Sequence, residues 1–216
     1  HCYLMRCFLL LFSLLPLLLC AQNARIDSLN DVLSELEHTA RIGPLNELAI
    51  EWIYVDPNNS LEPSQEAFEL STAADRWEDA GLSANVIGSS HMQLGEFEEG
   101  IEWLESSIEL YDKAGSDKKY ATINNLALVY QGIGDYKTAD SLLTSAISKG
   151  EKDGAPELKL LPIRGNLANN YQLVGRYEEA LENYQEILSV EVETRQLKSM
   201  RYTLSAMGLL YDKLKD

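Results

Sequence analysis

An internal repeat constrains the fold of this chain more than any other feature of its sequence. Three glycines, Gly95, Gly134 and Gly175, recur at nearly equal intervals, and the segments around them align. The aligned segments read MQLGEFEEGIEWLESSI, YQGIGDYKTADSLLTSAI and YQLVGRYEEALENYQEIL. A fixed period of about 40 residues is typical of repeat arrays, in which each unit packs only on its neighbours. We therefore expect a stack of similar units around a continuous core.

Within each unit the apolar residues recur with helical spacing. In the best example a first stripe precedes Gly134 and a second follows it, each repeating every three to four residues. The first stripe comprises Ile123, Leu126, Ala127 and Tyr130, and the second comprises Ala139, Leu142, Leu143, Ala146 and Ile147. Glycine suits the left-handed backbone of a helix C-terminal cap. Each unit is thus predicted to be a helix, a tight turn and a second helix, which makes the fold class all-α.

The pattern resembles the tetratricopeptide repeat (TPR), and the resemblance covers roughly residues 44–216. Its signature of small and aromatic residues around a turn glycine is carried by Ala168, Tyr171, Gly175, Tyr177, Ala180 and Tyr184. The resemblance implies a right-handed α-solenoid whose first helices line a concave, partner-binding surface. The period of about 40 exceeds the usual figure of about 34 for this family. We expect the extra residues to lengthen the helices.

The repeat predicts the domain organisation of the chain. A capping helix is expected before the array, because Ile26, Leu29, Val32, Leu33 and Leu36 form one apolar face and terminal repeats need a cover. Pro156 and Pro162 are expected to punctuate a long join between the third and fourth units. The predicted segments are a capping helix at 22–43, a degenerate unit at 44–81, units at 82–120, 121–161 and 162–200, and a truncated unit at 201–216.

The N-terminal segment, 1–21, has the pattern of a signal peptide that starts at Met5. One arginine, Arg6, precedes an apolar run of about twelve residues, which is too short to span a bilayer. Cleavage is expected after Ala21, giving an exported, periplasmic product. Two alternatives remain: lipidation of Cys20, and an uncleaved anchor.

Charge and cysteine content exclude several functions. The chain has 18 Lys and Arg against 34 Asp and Glu, a net charge of −16, whereas nucleic acids and anionic lipids attract basic proteins. Every cysteine lies within the predicted signal peptide, so the mature chain has no thiol nucleophile, disulfide or Cys-ligated zinc. His38 and His91 lack metal-ligand spacing. We predict no catalytic, metal or cofactor site.

Mainly polar residues recur on the first helices, opposite the packed stripes, and these positions are the candidate binding residues. One account is that their amides bond the backbone of an extended ligand. The other is that they bond neighbouring helices or face water. The candidates are Asn85, Ser89, Met92, Asn124, Leu128, Gln131, Asn169, Gln172 and Ser205.

The order of elements resembles the exported N-terminal region of bacterial sensor histidine kinases and related regulators. That resemblance implies a protein or peptide partner, a transmembrane helix and an effector downstream, and no enzyme activity within this chain. The alternative is a free periplasmic or secreted TPR adaptor. Oligomeric state is left open by the sequence.

Overall fold

A computed structural model describes residues 22–215, and within this range the chain is helical with no strand. The predicted all-α fold class is confirmed. The chain divides into two compact units, an N-terminal unit up to Trp103 and a C-terminal unit from Leu104 onward. The predicted signal peptide, including Cys20, lies outside the described residues.

The helices follow one another with short connections. After α1 at 22–35 and a 3-10 turn at His38–Arg41, nine helices complete the described chain. They are α2 (Ile42–Ile53), α3 (Asn58–Ala73), α4 (Trp77–Leu94), α5 (Phe97–Lys113), α6 (Lys119–Gly132), α7 (Tyr136–Lys152), α8 (Glu157–Leu173), α9 (Tyr177–Glu193) and α10 (Leu197–Lys213).

The long period has a simple geometric origin. Helices α7 to α10 are each 17 residues long, and three residues connect α8 to α9 and α9 to α10. Gly175 closes its turn with a φ of +79°, while the next N–H, from Arg176, donates to the Tyr171 carbonyl at 2.8 Å. Such a left-handed cap satisfies helix-end carbonyls. Arg195 adopts the same backbone region without being glycine, at φ +58°.

The proline-containing stretch is not a long join between units. Pro156 is the residue before α8, and Pro162 lies inside that helix. Proline lacks an N–H and removes one helical hydrogen bond. The loss falls near the start of α8, and the helix continues through it. The first helix of the fourth unit therefore begins at Glu157, ahead of the boundary expected at 162.

Small polar residues form some of the helix contacts of the N-terminal unit, beside its apolar clusters. Ser60 of α3 and Ser90 of α4 are fully buried, and their hydroxyl oxygens lie 2.5 Å apart. Both side chains also donate to backbone carbonyls of their own segments, so burial leaves no unpaired hydroxyl. Beside them, α1 buries Ile26 and Leu33 against Leu45 of α2.

Larger apolar side chains fill the C-terminal unit. Leu143, Leu160 and Ile163 are at most 1% exposed and belong to one cluster that extends through α6 to α10. Gly150 of α7 allows close contact with α8, since a Cβ there would lie 2.7 Å from the Leu160 Cδ2. Within residues 22–215 we find no helix that is both long and apolar enough to cross a membrane.

Candidate partner-binding site

The three candidate residues of the N-terminal unit lie on α4. Asn85, Ser89 and Met92 are all half-buried, and the Ser89 hydroxyl donates to the Asn85 side-chain oxygen at 3.3 Å. The adjacent Val86 and Ile87 are buried in the unit. These candidates form a small, partly exposed patch rather than a deep pocket.

In the C-terminal unit, two candidate amides join neighbouring helices. Asn166 of α8 donates from its side chain to Asn124 of α6 at 2.7 Å, and Gln131 donates to the Asn166 carbonyl at 3.1 Å. Both interactions connect α6 directly to α8. This arrangement favours the structural account for Asn124 and Gln131, because one hydrogen-bonding group of each side chain is already used within the unit.

Two further candidates, Asn169 and Gln172, form hydrogen bonds with the hydroxyl group of Tyr184. The Tyr184 hydroxyl of α9 donates to the Asn169 side-chain oxygen at 2.8 Å and accepts a hydrogen bond from Gln172 at 3.1 Å. Burial raises the pKa of Tyr184 above its ordinary value, although the hydrogen bond from Gln172 opposes the shift. Asn169 and Gln172 therefore fix the orientation of the tyrosine ring.

The remaining candidates are open to solvent. Leu128 of α6 is 39% exposed, and Ser205 of α10 is also exposed. Neither side chain is required by the core of the unit, so both remain available for contact with a partner.

A cavity of about 610 Å³ lies between α8 and α10, with α9 as its floor; we call it the C-terminal cavity. Its walls are mainly apolar. They include Leu158, Leu161 and Pro162 from α8, Tyr184 and Ile187 from α9, and Tyr202 from α10. Sequence reasoning missed this site because it considered only the first helix of each unit, whereas the floor belongs to a second helix.

Gly165 helps to keep the C-terminal cavity open. It lines the cavity, and a Cβ built there would meet no atom within 4 Å. In addition, α6 packs directly on α8, whereas α8 and α10 make no comparable contact in the part of the chain described. The gap between these two helices is therefore a property of the backbone arrangement as well as of the side chains.

One acidic side chain lies at the floor of the C-terminal cavity. Glu191 of α9 is only 2% exposed, and its Oε2 atom has no hydrogen-bond partner among residues 22–215. Glu191 continues the buried stripe of α9, at helical spacing after Tyr184 and Ile187. The apolar stripe was the signal that could have singled out this glutamate.

The most buried cation of α8 is already neutralised elsewhere. Arg164 has a side chain that is 12% exposed and forms ion pairs with Glu151, Glu157 and Glu186. The Glu157 pair has an N–O distance of 3.2 Å. No ion pair to Glu191 is present in the described part of the chain, so this cavity-lining residue has no counterion there.

The two histidines occupy separate places in the N-terminal unit. His38 is exposed in the 3-10 turn, and the His91 Nδ1 lies 2.6 Å from a Glu96 carboxylate oxygen. Within residues 22–215, no three His, Cys, Asp or Glu side chains are grouped to hold a metal ion.

Comparison with protein families identifies the repeat. Residues 79–151 match one family model described as tetratricopeptide repeat, and residues 163–190 match a second with the same description. These two segments therefore contain tetratricopeptide repeats, the units of a protein-binding scaffold. No curated protein matches the chain.

Solved structures share this architecture at low sequence identity. BtubC from P. vanneervenii is 14% identical with a TM-score of 0.72, over 91% of this chain and 83% of that one. TPR-like repeats of a Podospora anserina chain described as a kinesin light chain are 20% identical with a TM-score of 0.65, over 82% and 88%. A Rap protein complexed with competence and sporulation factor is 16% identical with a TM-score of 0.71, over 90% and 60%. These similarities establish the helical-repeat fold.

Proposed function

We propose that this chain is an exported TPR scaffold that binds an extended protein or peptide segment. We further propose that it is the extracytoplasmic sensory region of a membrane signalling protein whose effector lies downstream. The observation that carries the binding proposal is the C-terminal cavity. It combines apolar walls with one buried carboxylate oxygen that has no hydrogen-bond partner among residues 22–215, and ligand sites commonly have this composition.

The surroundings of the cavity also suit an extended ligand. Tyr202 is 70% exposed and Leu158 is 47% exposed, and both lie at the cavity lining. Exposed aromatic and aliphatic side chains beside a pocket are typical anchors in protein recognition. Helix-repeat proteins use surfaces of this kind to hold peptides and partner helices. The Rap structure, described as a complex with competence and sporulation factor, shows the same fold with a bound partner.

Export is supported by the sequence of segment 1–21 and by the placement of every cysteine ahead of Gln22. A short apolar run preceded by one arginine fits a signal peptide. The sensory role rests on the order of elements, namely a leader, a capping helix and then long-period repeats. A free periplasmic or secreted adaptor would share the export and the binding but would lack the downstream effector.

The binding proposal is tested by filling the cavity. Random peptides displayed on phage are selected against the full chain, and the enriched peptides are titrated by fluorescence polarisation. Gly165→Leu should weaken their binding by about tenfold or more, because the new side chain occupies the pocket and tenfold corresponds to about 1.4 kcal/mol. Gly208→Leu is the matched control, since this α10 glycine is exposed, is open around its Cβ and does not line the cavity.

Two results would overturn the binding proposal: no enriched peptide, or equal affinity for the wild-type chain and Gly165→Leu. Circular dichroism of both variants establishes that each retains the helix content of the wild type. The control variant should bind as the wild-type chain does.

Export is tested separately with an alkaline phosphatase reporter fused after Gln22. We expect phosphatase activity in the bacterial envelope. Changing Leu14 and Leu15 to Arg should abolish it, because charges in the apolar run prevent its insertion. An inactive wild-type fusion would contradict export. Reading the gene downstream for an apolar run of about 20 residues then distinguishes the membrane sensor from the adaptor.

A further inference from the structure

We infer that the C-terminal cavity takes a lysine or arginine side chain from the bound segment, with the Glu191 carboxylate as its counterion. This inference rests on the proposed peptide-binding function and specifies the chemistry of the partner. It follows from three observations: the isolation of Glu191, the composition of the cavity around it, and the charge of the chain.

The isolation of Glu191 distinguishes it from other shielded charges of the described chain. Burial of a carboxyl group without a hydrogen-bond partner is unfavourable, and buried charges in proteins are normally paired. Arg41 and Arg164, whose side chains are 27% and 12% exposed, are both paired with carboxylates. Glu191 is more buried than either and has no ion pair among the described residues. A bound cation would supply the missing partner.

The composition of the cavity suits a long basic side chain. Lysine and arginine have an aliphatic stem, which packs on apolar surface, and a charged end group, which requires acceptors. Leu158, Leu161 and Ile187 provide the apolar surface. Two hydroxyl oxygens, those of Ser199 and Thr203, line the cavity with Glu191. Both hydroxyls donate to carbonyls within the α10 segment, which leaves their oxygens as acceptors.

Three other occupants of the cavity fit less well: an acidic side chain, an uncharged side chain and a metal ion. An acidic side chain would face a buried carboxylate in a chain of net charge −16. An apolar side chain would leave the Glu191 Oε2 unpaired, and a neutral polar side chain would leave its charge without a counterion. A metal ion would need additional carboxylate or imidazole ligands, and the described residues form no such group. The basic side chain is the occupant that satisfies both the apolar walls and the acid.

The experiment uses fluorescein-labelled heptapeptides of sequence Ser-Ala-Leu-X-Leu-Ala-Ser, with arginine, lysine, norleucine or glutamate at X, titrated against the full chain. The arginine and lysine peptides should bind about tenfold tighter than the norleucine peptide, because only they form a charge-assisted hydrogen bond with Glu191. The glutamate peptide should bind weakest. Glu191→Gln should remove the preference for a basic side chain and leave norleucine binding unchanged.

Glu193→Gln provides the matched control. It removes the same charge from the same helix, but Glu193 is exposed and does not line the cavity. The preference for basic peptides should persist in this variant. If Glu193→Gln removed it as fully as Glu191→Gln does, general attraction by an acidic surface would account for the binding and the inference would be wrong.

The outcomes separate this inference from the proposed function. Equal binding of norleucine, lysine and arginine peptides, all abolished by Gly165→Leu, would retain the binding site and overturn its selectivity for cations. Binding that Gly165→Leu does not affect would overturn both proposals. Thermal unfolding of Glu191→Gln at or above the temperature of the wild-type chain ensures that a loss of selectivity reflects the carboxylate and not the fold.

Discussion

The two units contain cavities of similar size that differ in whether the charged side chains lining them are paired. In the N-terminal unit a cavity of about 560 Å³ between α1, α2 and α3 is lined by Arg41 and Glu66, which form a double hydrogen bond at 2.6 and 3.1 Å. In the C-terminal cavity, of about 610 Å³, Glu191 has no such partner among the described residues. Volume alone therefore does not mark a binding site. Whether the charged side chains that line a cavity are paired is more informative about binding than its volume.

The paired cavity serves the structure. Arg41 also donates to the Leu33 carbonyl at 2.8 Å, so one side chain connects the end of α1 to α2 and α3. This interaction satisfies a carbonyl that the end of a helix leaves without a partner. In the C-terminal cavity, the charge of Glu191 forms no ion pair with the described residues and so adds no stability. Residues that lower the stability of a fold are characteristic of functional sites. Four substitutions test this distinction.

The largest effect is expected where the C-terminal cavity borders the core. Ile187→Ala should lower the free energy of unfolding by about 2–5 kcal/mol, because it removes buried methyl groups and enlarges the cavity beside them. Ile187 is 5% exposed and belongs to the main cluster of its unit. Urea unfolding followed by circular dichroism measures the change. Val192→Ala on the same helix is the control, since Val192 is 55% exposed and should change stability by about 0.5 kcal/mol or less.

The second test breaks the paired charge of the N-terminal cavity. Arg41→Met should lower the free energy of unfolding by about 1.5–3 kcal/mol, the usual range for hydrogen bonds to charged groups. Trp52 lines the same cavity, so its fluorescence reports the transition locally. Arg25→Met is the control: Arg25 pairs with Glu51 at 2.6 Å but is 57% exposed, so about 1 kcal/mol or less is expected. Equal effects of the two substitutions would remove the structural role assigned to Arg41.

The third substitution is expected to increase stability, whereas the first two decrease it. Glu191→Met should raise the free energy of unfolding by about 1–2 kcal/mol, because an apolar side chain of similar size replaces an unpaired buried carboxyl group. The same change should abolish selection of basic peptides. Glu193→Met, on the exposed side of α9, should alter stability by about 0.5 kcal/mol or less. A loss of stability in Glu191→Met would show that the carboxylate is satisfied within the unit and would contradict the comparison of the two cavities.

The repeat made most of the fold predictable, because a 3.6-residue apolar period and regularly spaced glycines specify helix pairs directly. Two turn residues were harder to recognise. Asp75 and Arg195 adopt positive φ values of 55° and 58° at helix ends where other turns use glycine. Neither residue type is favoured in that conformation to the extent that glycine is. Only the spacing of the surrounding helices marks these turns.

The candidate site was less predictable, because the same residue type has different roles on the first helices of successive units. Asn124 accepts a hydrogen bond from a neighbouring helix, whereas Asn169 positions Tyr184 beside the cavity. Choosing between these roles requires the distances between helices, which a single sequence does not contain. Glu191 was obscured by the abundance of acidic residues, although its place on the buried stripe of α9 was readable.

The smallest change in stability is expected for a paired acid at the surface. It extends the comparison of paired and unpaired acids to an exposed side chain. Asp112 of α5 and Lys119 of α6 form an ion pair at 2.5 Å. The hydrogen bond with Lys119 is the main reason that the pKa of Asp112 lies below its ordinary value of 3.8. A second ion pair, with Lys149 of α7, lowers it further. The same bond with Asp112 raises the pKa of Lys119 above its ordinary value of 10.5.

The direction of these shifts fixes the pH dependence. The contribution of Asp112 is complete above its ordinary pKa and disappears as the pH falls through the lowered value. The contribution of Lys119 is complete below its ordinary pKa and disappears as the pH rises through the raised value. Asp112→Asn should therefore lower stability by an amount that is constant between about pH 5 and 9 and that shrinks in acid. The Asp112 side chain is 43% exposed, so the expected effect is below about 1 kcal/mol.

Urea unfolding at several pH values, in low and high salt, measures the contribution of this pair. About 1 M salt should reduce the effect of Asp112→Asn, since exposed pairs are screened. Glu109→Gln, an exposed change on the same helix, separates loss of the pair from loss of net charge. If both variants showed the same pH profile, net charge would explain the result. A profile specific to Asp112→Asn would establish that ion pairing with Lys119 and Lys149, and not net charge, determines how this surface acid contributes to stability.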